Sequence, residues 1–303
     1  MTSTPPVWTL NSLQREAERA VDIFRKSRDS EPVDLYLEFY EAARNDVEDV
    51  MELTVDLDDL VSEASVILSS ASYRYVMRYL VGPAISEDDL RTSVGKQAYD
   101  MSKKGQNPGA ARVIDFLAPN IDRRRFPWRS ESRHPMEAER EAAVIATAAL
   151  MANQKAQTAR RTGAKVLQET RVMNALREVG FREVRPRTVN TPSRAPGPGE
   201  FCGESMLVGQ KADLLVGLWD ERLLAIECKT SNSEVNSFKR VNHEAGGKAA
   251  HWTSKFGQAV VVPAVTLSGV FRPQNLLDAQ SGGLTIWWSH GLKSMIDWIE
   301  TTR

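Results

Sequence analysis

The sequence predicts a mixed α/β protein that begins with an all-helical region. Apolar residues recur at helical spacing through 9–106, whereas from about 136 the pattern runs helix, three strands, helix, strand. No apolar run approaches the ~20 residues needed to span a bilayer. The 42% hydrophobic and 26% charged residues are typical of a soluble globular protein. We therefore expect a helical region over 1–110, a connecting loop over 111–135 and a mixed α/β core over 136–303.

The helical region shows clear boundaries but no catalytic pattern. Helices are predicted over 34–51 and 60–80, and Gly82-Pro83 ends the second of them. A further helix is predicted after Ser86, whose hydroxyl can accept an orphan backbone N–H while the following acids favour the helix dipole. We expect this region to support dimerisation or to help clamp DNA.

Charge is distributed unevenly along the chain. Residues 1–100 carry 20 acidic and 10 basic side chains. Because the whole chain has a net charge of −1, residues 101–303 carry a net charge of +9. A basic C-terminal two-thirds is the expected footprint of a nucleic-acid partner, although uneven charge is also common between ordinary domains.

The connecting loop holds a basic cluster interleaved with aromatic residues. Arg123, Arg124 and Arg125 precede Phe126 and Trp128 within a proline-rich segment that is predicted to be irregular from 107 to 135. Arginines suit phosphates or guanine edges and aromatic rings suit stacking, so we expect the three arginines and Trp128 to contact DNA. The alternative interpretation is a surface loop that its two aromatic side chains anchor to the core.

Three charged residues interrupt two adjacent apolar strands, 212–219 and 223–229. Asp213 lies on the first strand, and Glu227 and Lys229 lie on the second, where alternation places both on one face. Buried charges require partners or a metal, because desolvation costs several kcal/mol per ion. Carboxylates suit Mg²⁺, and an ammonium group can offset developing phosphate charge. The alternative interpretation is a surface hairpin with a salt bridge.

This pattern of an Asp followed by Glu-x-Lys resembles the signature of the PD-(D/E)XK nuclease superfamily. Ala212 stands where that superfamily often has proline, a departure that removes no chemical group. The order helix, three strands, helix, strand also matches the α-β-β-β-α-β core of the superfamily. The resemblance implies that Asp213, Glu227 and the backbone carbonyl of Cys228 bind Mg²⁺, for which Mn²⁺ can substitute, and that Lys229 is catalytic.

A long helix is predicted over 135–179, with an interruption near Gly163. Its residue Glu169 falls on the apolar stripe, and the resemblance implies that such a carboxylate is an additional acid near the metal. The alternative interpretation is a Glu at the edge of the stripe that pairs with Lys165 or Arg171. The two cysteines have no metal-ligand spacing, which fits a reducing cytoplasm, and Cys228 is expected to be a small core residue.

The remaining pattern predicts strands over 181–187, 205–219, 258–265 and 284–289, and helices over 233–256, 273–279 and 292–299. A long loop over 188–203 separates the first two strands, and long loops in compact domains are commonly functional. The helix over 233–256 and its leading turn are polar, which suits contacts with base edges. We expect DNA contacts from Arg187, Arg194, Asn232, Asn236, Lys239 and Arg240.

Several longer segments are similar to the XamI-type restriction endonucleases. They are Arg123-Arg-Arg-Phe-Pro-Trp, Gln168-Glu-Thr, the hairpin through Glu227-Cys-Lys, Val241-Asn-His-Glu-Ala and the apolar run from Val261. This resemblance implies a Type II enzyme that cuts double-stranded DNA with Mg²⁺ at a short palindrome, of the GTCGAC type by association, leaving 5′-phosphates. A palindrome calls for two catalytic centres, so we expect a homodimer in a prokaryotic cytoplasm, with a cognate DNA methyltransferase as its functional partner.

Two rival functions share these features. One is a repair or recombination nuclease of the same fold that recognises DNA structure rather than sequence. The other is a DNA-binding module that retains the fold without the chemistry. The presence of Asp213, Glu227 and Lys229 together argues against the second.

Overall fold

The computed structural model describes residues 3–29 and 33–303 of the chain. It divides into two compact units, one formed by Met1–Glu31 with Arg161–Arg303 and the other by Pro32–Arg160. The sequence predicts boundaries at 110 and 135; in this division the first helix groups with the C-terminal sheet, and the units separate at 160–161. The mixed α/β class and the helical N-terminal region are confirmed.

The unit Pro32–Arg160, which we call the helical unit, is built from short amphipathic helices around one apolar core. Val47, Ile67, Leu80 and Ile114 are among its fully buried side chains. The helices that lie entirely within it are α2 (Val33–Leu53), α3 (Ala64–Ser69), α4 (Ala71–Leu80), α5 (Glu87–Val94), α6 (Lys96–Ser102), α7 (Asn107–Leu117) and α8 (Pro127–Glu131).

Helix boundaries in this unit follow local capping chemistry. Ser86 caps α5 by accepting the N–H of Asp89 at 3.0 Å, as its sequence predicts. The single helix predicted over 60–80 is instead two helices, because Ser70 is extended and caps α4. The prediction of an irregular segment over 107–135 is also wrong. Prolines begin α7 and α8 in their first turns, where a missing N–H costs nothing.

Helix α9 (Glu137–Glu178) is 42 residues long and contains the division between the units. It continues through Gly163 without the predicted interruption. A glycine inside a helix costs only about 1 kcal/mol relative to alanine, which a long helix can tolerate. Within the described residues, no helix has the length and hydropathy to cross a membrane.

The second unit, which we call the sheet unit, contains a six-stranded mixed sheet in the order β1-β3-β6-β7-β8-β9. Strands β3, β6 and β7 are antiparallel neighbours, whereas β7, β8 and β9 run parallel. The strands of this sheet are β1 (Arg182–Glu183), β3 (Glu200–Cys202), β6 (Leu214–Gly217), β7 (Leu223–Ser231), β8 (Val261–Gly269) and β9 (Thr285–Trp288). A small second sheet consists of β2 (Thr188–Val189), β4 (Ser205–Leu207) and β5 (Gln210–Ala212).

Two strand predictions are corrected by this topology. The strand predicted over 205–219 is broken into β4, β5 and β6, because the chain turns back at Val208 and Gly209, both with positive φ, and then changes sheets. The strand predicted over 181–187 is reduced to β1. The predicted loop 188–203 supplies β3, which becomes the antiparallel neighbour of β6.

Helices cover both faces of the large sheet. The C-terminal part of α9 packs Val172 and Leu176 on one face, where they meet Leu224 and Ile226. The opposite face is covered by α10, a π-helical turn and α11, and by α1 and α12. Since β7 is buried on both sides, its sequence is almost continuously apolar, and its charged residues stand out. The remaining helices are α1 (Leu10–Asp29), α10 (Glu234–Phe238), the π-helical turn (Lys239–Ala245), α11 (Gly246–Phe256), α12 (Pro273–Ser281) and α13 (Lys293–Glu300).

Candidate active site

Strand β7 places two predicted catalytic residues on one face of the sheet. Glu227 and Lys229 pair in register with Val265 and Leu267 of β8, and alternation turns both side chains towards the π-helical turn and α11. The Glu227 carboxylate is 1% exposed, and its Oε2 lies 2.9 Å from Lys229 Nζ. A carboxylate this deeply buried requires a cation beside it.

Asp213 lies where the chain leaves the small sheet and enters β6. Its N–H donates to the carbonyl of Ile226 at 3.1 Å, and its Oδ2 accepts the N–H of Cys228 at 2.7 Å. The second bond fixes the carboxylate beside the peptide between Glu227 and Lys229. Asp213 is 6% exposed. The structure thus brings together the three residues that the sequence singled out on consecutive strands.

Helix α9 contributes Lys165 and Glu169 to this cluster. Lys165 Nζ lies 3.0 Å from Asp213 Oδ1 and 3.2 Å from Glu169 Oε1. The alternative pairing of Glu169 with Lys165 therefore exists, and the same contact brings Glu169 close to Asp213. Burial, and next the negative charge of Asp213, raise the pKa of Glu169. A raised carboxyl pKa beside another carboxylate is typical of a cation-binding centre.

The π-helical turn and α11 supply two residues that sequence analysis did not assign to the catalytic centre. Lys248 Nζ donates to Glu227 Oε1 at 2.7 Å, and Glu244 Oε2 lies 3.4 Å from Lys229 Nζ. Glu244 and Lys248 are four residues apart, about one helix turn, so they lie on the same side of the helix. Their partners Lys229 and Glu227 are two residues apart and lie on the same face of the strand, so the two pairs can form side by side. That matched spacing is the signal that could have identified them.

The electrostatics keep Lys229 protonated. Burial by itself lowers the pKa of Lys229, but the nearby charges of Glu227, Asp213 and Glu244 outweigh it and raise the pKa above its usual value. An ammonium group with a raised pKa is a poor general base at neutral pH. It is well suited to orient water by hydrogen bonding and to offset negative charge on phosphate oxygens.

A buried polar network holds α9 against the sheet beside Glu169. Gln168 Nε2 donates to the carbonyl of Thr266 at 2.8 Å, and Thr230 Oγ1 donates to Gln168 Oε1 at 3.1 Å. The Cys228 thiol lies in the same region, accepts from Thr266 Oγ1, and has a pKa raised by burial. The Cys228 side chain is therefore part of the core, as predicted.

The carboxylates of this site fit a hard divalent cation. Glu227 Oε2 and Glu169 Oε1 are buried atoms that lie near ammonium groups but make no hydrogen bond. Mg²⁺ needs one or two carboxylates and keeps several waters, so this donor set matches its chemistry. Within 3–29 and 33–303, no three His, Cys, Asp or Glu side chains form a ready-made metal cluster. Lysines lie between the carboxylates instead.

The predicted DNA contacts of the sheet unit lie on its surface. The Arg187 side chain is exposed, 4.0 Å from Glu200. Arg240 is half-buried within the π-helical turn. The other exposed members of the set are Arg194, Asn232, Asn236 and Lys239. Their exposure leaves them accessible to a nucleic-acid partner.

The basic and aromatic cluster of the helical unit is divided between surface and core. Arg123 and Arg124 are exposed. Trp128 is 0% exposed and donates its indole N–H to the carbonyl of Asp56 at 2.9 Å. The Arg125 guanidinium donates to the carbonyls of Tyr79 and Val81 and to Asp122. Trp128 and Arg125 therefore support the helical core, which corrects their assignment as DNA contacts in favour of the anchoring alternative.

Comparison with known proteins identifies the family. The sequence profile of the XamI restriction endonuclease matches residues 58–288. The chain belongs to the XamI restriction endonuclease family. It is also 39% identical over 274 residues to the Type II restriction enzyme XamI of Xanthomonas campestris pv. amaranthicola. The aligned region covers 88% of this chain and 98% of that enzyme. No solved structure matches the chain. The resemblance noted from the sequence is thus confirmed, and XamI-family membership makes the protein a site-specific deoxyribonuclease.

Proposed function

We propose that the protein is a Type II restriction endonuclease that hydrolyses double-stranded DNA at a short palindrome, depends on Mg²⁺ and leaves 5′-phosphates. The observation that carries this proposal is that the Asp213 carboxylate accepts the backbone N–H of Cys228, the residue between Glu227 and Lys229 on β7, so that the three charged side chains lie close together. Family membership supplies the class of reaction, and the cluster supplies charged groups of the kind that phosphodiester hydrolysis requires.

We further propose that the sheet unit is a PD-(D/E)XK core. The C-terminal part of α9, the antiparallel strands β3, β6 and β7, the helix α11 and the parallel strand β8 follow one another in the order α-β-β-β-α-β. Asp213 directly precedes β6, the middle one of the three antiparallel strands, and Glu227-Cys228-Lys229 lies on β7, the third. This agreement of element order with residue placement supports the assignment.

Metal binding is assigned to the carboxylates of Asp213 and Glu227 and to the backbone carbonyl of Cys228, with Glu169 as an additional acid. When bound, Mg²⁺, or Mn²⁺ in its place, polarises the scissile phosphate and lowers the pKa of a bound water. The hydrogen bond from the Cys228 N–H orients the Asp213 carboxylate, and Lys248 holds one oxygen of Glu227. Both ligands are therefore ordered before substrate arrives, which reduces the entropic cost of assembling the site.

Lys229 acts on the attacking water and on the phosphate. Its ammonium group orients the water by hydrogen bonding and stabilises the negative charge that develops on the oxygens of the pentavalent phosphorane. Its side chain is 13% exposed, so these interactions take place in a partly dehydrated site, where they are stronger than in bulk water. Attack in line with the leaving 3′-oxygen leaves a 5′-phosphate and a 3′-hydroxyl.

DNA binding is assigned to the exposed polar residues of the sheet unit and to Arg123 and Arg124 of the helical unit. The net charge of +9 over residues 101–303 supports a phosphate-backbone partner. Asn236 and Lys239, in and just after α10, are exposed and soon follow the catalytic strand in sequence, which favours contact with bases near the cleaved bond. The enzyme would act as a homodimer in a prokaryotic cytoplasm, beside a methyltransferase that protects the same site.

Digestion of plasmids of known sequence, with Mg²⁺ and with EDTA, tests this function. Discrete fragments that require Mg²⁺ are expected, and mapping their ends identifies the palindrome, including a GTCGAC-type site, and the terminal phosphate. A smear would favour a structure-directed nuclease of the same fold. Binding without cleavage of any plasmid, even with Mg²⁺, would favour a non-catalytic DNA-binding module.

A further inference from the structure

We infer that Lys165 is a positioning residue and a built-in competitor of the metal: its ammonium group occupies the space between Asp213 and Glu169 until a divalent cation displaces it. The inference rests on the proposed function, since it requires Asp213 to be a metal ligand. It goes further by assigning a role to a residue outside the Asp…Glu-x-Lys pattern.

The geometry around the ammonium group resembles that of a bound cation. Lys165 Nζ lies 3.0 Å from Asp213 Oδ1 and 3.2 Å from Glu169 Oε1, and 4.0 Å from Glu204 Oε2. Glu204 is held on its other oxygen by Lys211 at 2.6 Å. Asp213 and Glu169 therefore depend chiefly on Lys165 for the cation that offsets their mutual repulsion.

Competition follows from which oxygen each partner uses. Asp213 Oδ2 accepts the backbone N–H of Cys228, and Oδ1 contacts Lys165. A divalent cation that binds Asp213 through the oxygen not fixed by the backbone must therefore meet the Lys165 ammonium at the same atom. Two cations this close repel each other strongly, so metal binding and the Lys165 contacts oppose one another.

Exposure distinguishes Lys165 from the other lysines of the site. Its side chain is 47% exposed, against 13% for Lys229 and 26% for Lys248. A flexible, half-exposed side chain can move into solvent without disturbing the core, whereas Lys229 cannot. Lys165 thus lies between the two carboxylates and offsets their charge in the metal-free enzyme, and metal loading costs the free energy of its two ion pairs.

Manganese binding to the DNA-free enzyme tests this inference without relying on activity. The dissociation constant is measured from the loss of the free Mn²⁺ electron paramagnetic resonance signal, for wild type, Lys165→Met, Lys211→Met and Asp213→Asn. Two ion pairs made by a half-exposed lysine correspond to about a three- to tenfold effect. Lys165→Met should therefore bind Mn²⁺ about three- to tenfold more tightly than wild type. Lys211→Met, which removes a lysine paired with Glu204, should bind as wild type does.

The variants separate failure of this inference from failure of the proposed function. If Asp213→Asn weakens Mn²⁺ binding but Lys165→Met binds no more tightly than wild type, Lys165 is not a competitor and the proposed function stands. If Asp213→Asn binds as tightly as wild type, the cation site lies elsewhere and both proposals are overturned. As a second expected result, addition of Mn²⁺ should raise the melting temperature more for Lys165→Met than for wild type. Lys165→Gln replaces Lys165→Met in this measurement if the first variant folds poorly.

Discussion

Neighbouring arginines of the helical unit have different roles because their surroundings differ. Arg125 donates to the carbonyls of Tyr79 and Val81 at 2.8 and 3.0 Å and is largely buried, whereas Arg124 is exposed. Both belong to one basic run, so the sequence pattern predicts the same role for the two. Composition does not show that the carbonyls at the end of α4 lack helical partners and need a donor from elsewhere in the chain.

Replacing each arginine by alanine tests this distinction. Arg125→Ala leaves buried carbonyl groups and the Asp122 carboxylate without their donor, so we expect a loss of about 2–4 kcal/mol in the free energy of unfolding. Arg124→Ala should change it by less than about 0.5 kcal/mol. Urea denaturation measures both values, and equal stability of the two variants would contradict the assignment.

A pH-dependent contribution to stability is expected from Glu139 at the start of α9. Arg133, and next the N–H of Met136, lower the pKa of this carboxyl to about 2. Because the folded-state pKa lies below the unfolded value of 4.5, the stabilisation is present above pH 4.5 and is lost as the pH falls towards 2.

The variant Glu139→Gln should therefore have a lower melting temperature than wild type at pH 7, and the difference should disappear as the pH is lowered from 4.5 to about 2. Circular dichroism melting over a pH series measures it. A difference that stays constant over that pH range would show that the ion pair contributes no linked stability.

At the scale of elements, strand β6 depends on a glycine. A Cβ at Gly217 would lie 2.1 Å from the carbonyl oxygen of Gly197 and 2.4 Å from that of Pro196. The loop before β3 therefore packs directly on the backbone of β6. Asp213 stands immediately before this strand, so a shift of β6 would also move the carboxylate.

Gly217→Ala is expected to cost more than about 2 kcal/mol of stability, because rigid backbone atoms rather than flexible side chains must move. Gly203→Ala is the matched control, since a Cβ there meets nothing within 4 Å. Urea denaturation of both variants measures their free energies of unfolding. A Gly217→Ala protein as stable as Gly203→Ala would contradict the packing described.

The elements that sequence predicted best are those with strong periodicity or with buried charges. Strand β7 and helices α9 and α13 were predicted within a few residues, because each buries an apolar face. Strand β3 was missed because its three residues follow a proline- and glycine-rich loop, and its pairing with β1 and β6 is not visible in a local pattern. The sequence does not assign Lys248 to the catalytic centre, because its contact with Glu227 depends on how the π-helical turn and α11 lie on the sheet.

For the whole molecule, a palindromic target predicts a two-fold dimer with one catalytic centre for each strand of DNA. Sedimentation or light scattering should give a mass about twice that of the 33.8 kDa chain in solution or on cognate DNA. A monomer on cognate DNA at micromolar concentration would contradict the prediction.

We propose that Asp213, Glu227 and Lys229 form the catalytic centre, and the variant Lys229→Ala tests this proposal. Its cleavage rate and its DNA affinity are compared with those of wild type and of Lys255→Ala, which removes an exposed lysine of α11. Lys229→Ala is expected to cleave DNA about 100- to 1000-fold more slowly than wild type and to bind DNA with the same affinity, whereas Lys255→Ala should cleave at the wild-type rate. Cleavage by Lys229→Ala at the wild-type rate would contradict the proposal.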